Sequence, residues 1–327
     1  MSVATRIPSG SPNSPAAAAG EKRKRVQLAA ITAGALLLYV IVRQLPTGTN
    51  LSHLDFRVEG GTSIEFCDPT NPQFIPVVAV PSPVSMSLQV HGPAPRIGHA
   101  VSATATLATS TGKSIGPEDL LITHTQKLHL LIFDPSARHY EHVHPVAGAR
   151  AGDWDFAFTP KTGGTYRIFA DFTPSATARG LYANADLAVS SEGADAVGAA
   201  AQSDRDLHVN ATSVEQEGFI FQLTPAAQPI RANLVTDFEF TASRKDGRPT
   251  KLEPVMDAYA HLVAVDEQRS GFAHLHPAQL VDPKSEGATF SKLNFKVTIP
   301  RAGRYVIWAQ VKIEGTERYI PFWFDVI

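Results

Sequence analysis

The chain of 327 residues has one cysteine, three methionines and almost no net charge, a formal −2 at pH 7. A single cysteine excludes an internal disulfide, so any folded domain must stand on packing. Cys67 itself reads as a small buried hydrophobe, with an intermolecular disulfide or a thiolate ligand near His53 as sharper alternatives. The balanced charge leaves no general case for a nucleic-acid partner. Catalytic signatures are missing too. There is no G-x-S-x-G, no HExxH, no P-loop and no G-x-G-x-x-G between a strand and a helix, and no one serine is marked out. The expectation is therefore a protein that binds, not an enzyme.

Long hydrophobic runs are scarce: the one of note is VQLAAITAGALLLYVIV, Val26 to Val42, directly after Lys22-Arg23-Lys24-Arg25. As a helix it would span about 25 Å, near the lower limit for crossing a bilayer. Extension to Leu45 with Arg43 snorkelling completes the span. Basic residues ahead of the run predict a cytoplasmic N-terminus and an extracytoplasmic remainder, periplasmic if the source is bacterial. The rival is a cleaved signal peptide. The long n-region and the lack of an A-x-A-like site after the run favour an uncleaved anchor. A lipoprotein does not fit, because Cys67 lies well past the run.

What is present is a duplicated string. HLLIFDPSARHYEHVHP from His129 and HLVAVDEQRSGFAHLHP from His261 share one order of His, Asp, His, His and Pro. His129, Asp134, His142, His144 and Pro145 thus answer His261, Asp266, His274, His276 and Pro277, each pair separated by the same 132 residues. A fixed offset of that size means a duplicated domain. Around it, Pro95-Arg96-Ile97 answers Pro229-Ile230-Arg231, and the run from Pro160 through Tyr166 to Ala170 answers Pro300 through Tyr305 to Ala309. An insertion, DPKSEGATF, separates motif from proline in the second copy. Short alternating segments punctuated by Gly, Pro, Asp and Ser, without a helical period, predict an all-β fold. The fold class expected is two tandem immunoglobulin-like β-sandwich domains after one N-terminal transmembrane helix. The expected boundaries are 1–25 for a disordered cytoplasmic tail, 26–45 for the anchor and 46–83 for a linker with added strands against the first domain. The first sandwich follows at 84–190, a linker at 191–206 and the second sandwich at 207–327.

The repeated residues carry the chemistry. If each His/Asp string is a hairpin with Phe133 opposite Tyr140, then Leu131 faces His142 and His129 faces His144, and all three histidines fall on one side. The same register in the second copy sets Val263 opposite His274 and gathers His261, His274 and His276. Three imidazoles from neighbouring strands suit Zn(II) or Cu(II). Asp134 and Asp266 would complete the ligand shell or orient a histidine. The alternative is structural, with histidines bracing the turn and the sandwiches docking a protein partner. The first copy has additional histidines, His91, His99, His124 and His139, and the second only His208 outside its motif. His124 and His139 are possible extra ligands for the first copy, with exposed loop or strand residues as the alternative. Trp154, Tyr166, Phe169, Phe172, Tyr305, Trp308, Trp323 and Phe324 are expected to be core and rim aromatics.

The repeated H-x4-D-x7-H-x-H-P string, followed by P-x-x-G and Y-x-I-[FW]-A, resembles uncharacterised bacterial membrane-anchored or exported proteins with tandem immunoglobulin-like domains. That resemblance covers most of 64–327 and implies architecture and location. More loosely, clustered histidines on a small exported sandwich are similar to those of periplasmic copper-resistance proteins. This second likeness implies His142, His144, His274 and His276 as copper ligands. The chain departs from them in lacking a methionine-rich segment, having only Met1, Met86 and Met256, so imidazole-bound Cu(II) or Zn(II) fits better than Cu(I).

Overall fold

The structure, a computed structural model, describes residues 15–44, 51–57, 72–191, 209–248, 250–279, 287–290 and 292–327. Cys67, His208 and all but the first residue of the expected linker over 191–206 lie outside the described residues. Two compact units are present, Met1–Thr49 and Asn50–Ile327. The first contains helix α1, Pro15–Gln44, which includes a stretch long and apolar enough to cross a membrane by length and composition, Lys22–Ile41. Leu36, Leu37 and Leu38 are each more than 60% exposed on it. The helix reaches back into the expected disordered tail, where Ala16 to Ala19 and the Glu21–Arg25 run are strong helix formers.

The second unit is built from strands. Its first half holds β1 (Val84–His91), β2 (Val101–Thr109), β3 (Leu128–Phe133), β4 (Tyr140–Val143), β5 (Val146–Ala147), β6 (Asp153–Phe158), β7 (Gly164–Phe172) and β8 (Leu181–Val189). The second half holds β9 (Ser213–Gln216), β10 (Phe219–Pro225), β11 (Val235–Arg244), β12 (His261–Asp266), β13 (Phe272–Leu275), β14 (Leu293–Thr298), β15 (Gly303–Ile313) and β16 (Thr316–Val326). Each half forms two antiparallel sheets. The orders are β1-β2-β6-β5 and β4-β3-β7-β8 in the first, β9-β10-β11-β14 and β13-β12-β15-β16 in the second. The two halves repeat one plan, an immunoglobulin-like sandwich. A tyrosine at the start of the equivalent strands β7 and β15 ties each corner. The Tyr166 hydroxyl accepts from the backbone N–H groups of Lys161 and Thr162, and Tyr305 donates to the Arg301 carbonyl.

Alternation along the strands sends one set of side chains into each sandwich. Leu130, Ile132, Ile168 and Trp154 lie in the first core, and Leu262, Ala264, Ile307 and Phe324 in the second. A third apolar cluster joins the two halves. It takes Leu131, Phe133 and Phe169 from the first repeat and their equivalents Val263, Val265 and Trp308 from the second. Sheets β4-β3-β7-β8 and β13-β12-β15-β16 are thus covered on both faces, which is why all six residues of β3 and of β12 are buried. Polar bonds reinforce the contact: Trp308 Nε1 donates to the Ala137 carbonyl, Arg167 to that of Arg269, and Arg269 to that of Thr165.

The segment ahead of the first sandwich divides between the two halves, which corrects the expectation that it packs on the first alone. Leu51 and Phe56 enter the first core. Phe74 enters the second core, while Ile75 and Val77 enter the cluster between repeats. Ile75 exchanges both backbone hydrogen bonds with Phe272 at 2.7 and 3.1 Å. Gly271 permits the approach, since a Cβ there would stand 1.9 Å from the Ile75 carbonyl oxygen.

Candidate metal centre

The hairpin register matches the one read from the sequence. Phe133 pairs with Tyr140 and Leu131 with His142, and Val263 pairs with His274. His129 shares the β3 face with Leu131 and Phe133, and so points between the repeats and not into its own core. In each repeat three imidazoles converge. The ligand atoms of His129, His142 and His144 lie within 4.8 Å of one another, as do those of His261, His274 and His276.

The outer nitrogens of these rings are fixed by acceptors. In both repeats a tight turn precedes the first histidine, Thr123–Gln126 and Val255–Ala258, with two residues at positive φ. Its first carbonyl accepts from the ring: His129 Nε2 to Thr123 at 3.0 Å, His261 Nε2 to Val255 at 2.9 Å. The second histidine of each triad turns its Nδ1 to the opposite repeat. His142 Nδ1 lies 3.0 Å from Gln310 Oε1, and His274 Nδ1 lies 3.1 Å from Asp171 Oδ2. The Gln310 amide is oriented by its own Nε2, which donates to Glu317 and to the Tyr319 hydroxyl. These acceptors set the tautomers, leaving Nδ1 of His129 and His261 and Nε2 of His142 and His274 as the inward atoms.

Those inward atoms face each other in pairs, His129 Nδ1 to His142 Nε2 at 3.0 Å and His274 Nε2 to His261 Nδ1 at 3.3 Å. Two neutral rings carry two protons, and each pair already uses both on its outer acceptors. A third bond between bare lone pairs requires a shared cation, either an extra proton or a metal ion. Burial works against the proton. It pushes His142 and His274 well below the ordinary imidazole value, with neighbouring histidines adding to the effect, and lowers His261 to about 3. Two ligands 2.0–2.1 Å from a tetrahedral ion are about 3.3 Å apart, so the observed pairs suit a metal. The third ring of each triad adds an independent sign: His144 Nε2 and His276 Nε2 are buried without a hydrogen-bond partner.

The aspartates of the motif do different work from the ligand role considered for them. Asp134 is fully buried and accepts from the backbone N–H groups of Arg138 and His139 and from the hydroxyls of Ser136 and Thr162. Asp266 accepts from the N–H groups of Ser270 and Gly271. Both carboxylates close the hairpin loops, five residues along the strand from the first histidine. The copy-one extras also separate. His124 lies against the second-repeat triad, its ring stacked on His276 with centroids 3.7 Å apart, and His139 lines a cavity of about 400 Å³ with Tyr140, His142 and Lys161. His91 bonds Thr104 and His99 bonds the Ile97 carbonyl. Sequence reasoning missed Asp171 and Gln310. Their signal was present, since they hold equivalent places directly after the repeated Ile-Phe-Ala and Ile-Trp-Ala runs, opposite His129 and His261 in the ladders.

Residues 82–188 and 212–327 each match one protein family, described as "Domain of unknown function (DUF8832)". No curated protein matches the chain. Solved structures with similarity include the Escherichia coli adhesin FdeC, at 12% identity and TM-score 0.21 over 74% of this chain and 64% of that one. The fibronectin(III)-like modules of Clostridium thermocellum CbhA are 9% identical, with TM-score 0.18 over 74% and 93%. Invasin, a bacterial integrin-binding protein, is 12% identical, with TM-score 0.22 over 74% and 39%. The chain spans less than two thirds of the adhesin and of invasin. At such TM-scores the architecture stands on the strand order itself.

Proposed function

For a chain that belongs to this family of domains of unknown function, carried in two copies, we propose non-catalytic binding of a divalent transition metal, Cu(II) or Zn(II), at the paired histidine triads. The observation that carries the reading is the proton count. In each triad the outer nitrogens of two rings are held by acceptors, the inward lone pairs of those two rings meet, and the third ring has a buried nitrogen with no partner. A neutral imidazole set of this kind takes Zn(II) or Cu(II), with a fourth position open to water or another ligand. The apolar helix α1 would anchor the unit to a membrane with its N-terminus cytoplasmic, so the metal would be held outside the cytoplasm for homeostasis or delivery.

A structural reading has one observation in its favour. His129 and His261 each brace the turn ahead of their strand through one ring nitrogen. Bracing accounts for those two outer bonds and leaves the inward nitrogens of both triads unexplained. The test is calorimetric titration of metal-stripped protein with Zn(II) and Cu(II), beside a His142→Ala/His144→Ala/His274→Ala/His276→Ala variant. Up to two equivalents in the wild type, absent from a folded variant, support the metal reading. No binding by the wild type, with a large loss of thermal stability in the variant, makes the histidines braces.

A further inference from the structure

We propose that the two triads are unequal and that Asp171 makes the second-repeat triad the one that takes the first metal ion. The inference rests on the metal reading above and concerns the order in which its sites fill.

Asp171 and Gln310 occupy the same place in the duplicated plan. Asp171 lies opposite His129 in the β3–β7 ladder, and Gln310 opposite His261 in the β12–β15 ladder. Neither serves the triad of its own repeat by a hydrogen bond. Each reaches across the junction: Asp171 Oδ2 takes Nδ1–H of His274, and Gln310 Oε1 takes Nδ1–H of His142. The two positions thus do one job, holding the middle histidine with Nε2 turned inward, but with different charge. A carboxylate acceptor makes the imidazole it holds a stronger donor to a metal and offsets part of the ion's charge, whereas a neutral amide does neither. On the first-repeat side the middle histidine is linked by hydrogen bonds to a carboxylate only one group further out, from Gln310 Nε2 to Glu317, while Asp171 stands opposite His129 and acts on it through space, without a hydrogen bond. The flanks differ in the same sense. The second-repeat triad has the His124 ring stacked on His276, and the equivalent turn position in the second repeat is Met256. Asp171 is a positioning residue in this account, since it acts through His274.

The test uses the full chain in detergent, stripped of metal and titrated with Cu(II) against a competing chelator, with electron paramagnetic resonance at one equivalent. The wild type should bind in two steps, and the first equivalent should give one spectral species. His276→Ala should abolish the tight step and keep the weak one, while His144→Ala should do the reverse. Asp171→Asn, which keeps shape and an acceptor oxygen, should weaken the tight step by about 10–100-fold. It should also turn the one-equivalent spectrum into a mixture of two species, a change that a merely structural role would not cause. His144→Ala doubles as a control for folding, because its tight step must survive. Two equal steps in the wild type, a tight step lost with His144→Ala, or an Asp171→Asn titration identical to wild type would each overturn the inference while leaving metal binding standing. A wild type that binds no Cu(II) overturns both.

Discussion

At the scale of single residues, the aspartates and histidines of one repeated string separate into two tasks. Asp134 gathers two backbone N–H groups and two hydroxyls at a site with no exposure. Asp134→Ala would leave those donors unpaired and should cost about 2 kcal/mol, read as a lower denaturation midpoint with the metal stoichiometry unchanged. A variant that lost metal while keeping its stability would instead return Asp134 to the ligand shell. The histidines impose a pH dependence. His142, His261 and His274 are nearly or wholly buried, and their folded values lie below the ordinary 6.5, so the unfolded chain binds protons that the folded chain refuses. Stability of the metal-free protein is therefore complete above about pH 6.5 and falls as pH drops below it. The slope is up to about 1.4 kcal/mol per pH unit for each such histidine. Asp171, whose carboxyl burial pushes up, opposes this as a single group. Thermal melts from pH 7.5 to 5 should show a steep fall, and a flat profile would show that these rings are accessible to protons in the folded state.

Strands and loops show how far the sequence could be read. The period-2 pattern and the equal offsets located both hairpins with their register, because a one-residue slip would have sent His129 and His142 to opposite faces. The continuous runs LHLLIF and HLVAVD carried a further signal. Six consecutive buried residues are too many for a strand with one wet face, so each run announces a sheet covered on both sides. The cover itself, a second copy of the same sheet, involves contacts between distant residues that local pattern does not encode. For the same reason the reach of Asp171 and Gln310 to the opposite repeat was not legible, although their equivalent places after the repeated runs were, and the segment 73–78 was expected against the wrong sandwich. Its attachment makes its own prediction. Gly271→Ala would drive a methyl group into the Ile75 carbonyl, so it should detach this segment and cost about 2 kcal/mol or more. Faster proteolytic cleavage near Val77 would report the detachment, and unchanged cleavage would show that the backbone there gives way.

For the molecule as a whole, the two sandwiches have separate cores and a shared third cluster, and the triads sit at that junction. Each middle histidine is aimed by a residue of the other repeat, so neither site is complete in one sandwich. A Phe133→Asp/Val265→Asp variant would place two buried charges in the junction while leaving both sandwich cores intact. It should weaken metal binding at both sites by at least about 10-fold, since the outer acceptors of His142 and His274 are withdrawn together. Affinities equal to wild type in this variant would mean that each hairpin binds without its neighbour. The central claim, that imidazole triads hold a transition metal, is met most directly by X-ray absorption of the Zn(II)-loaded protein. The account predicts a first shell at about 2.0–2.1 Å with the outer-shell scattering of three imidazoles per ion. A shell of oxygens without imidazole scattering, or a protein that takes up no zinc, would contradict it.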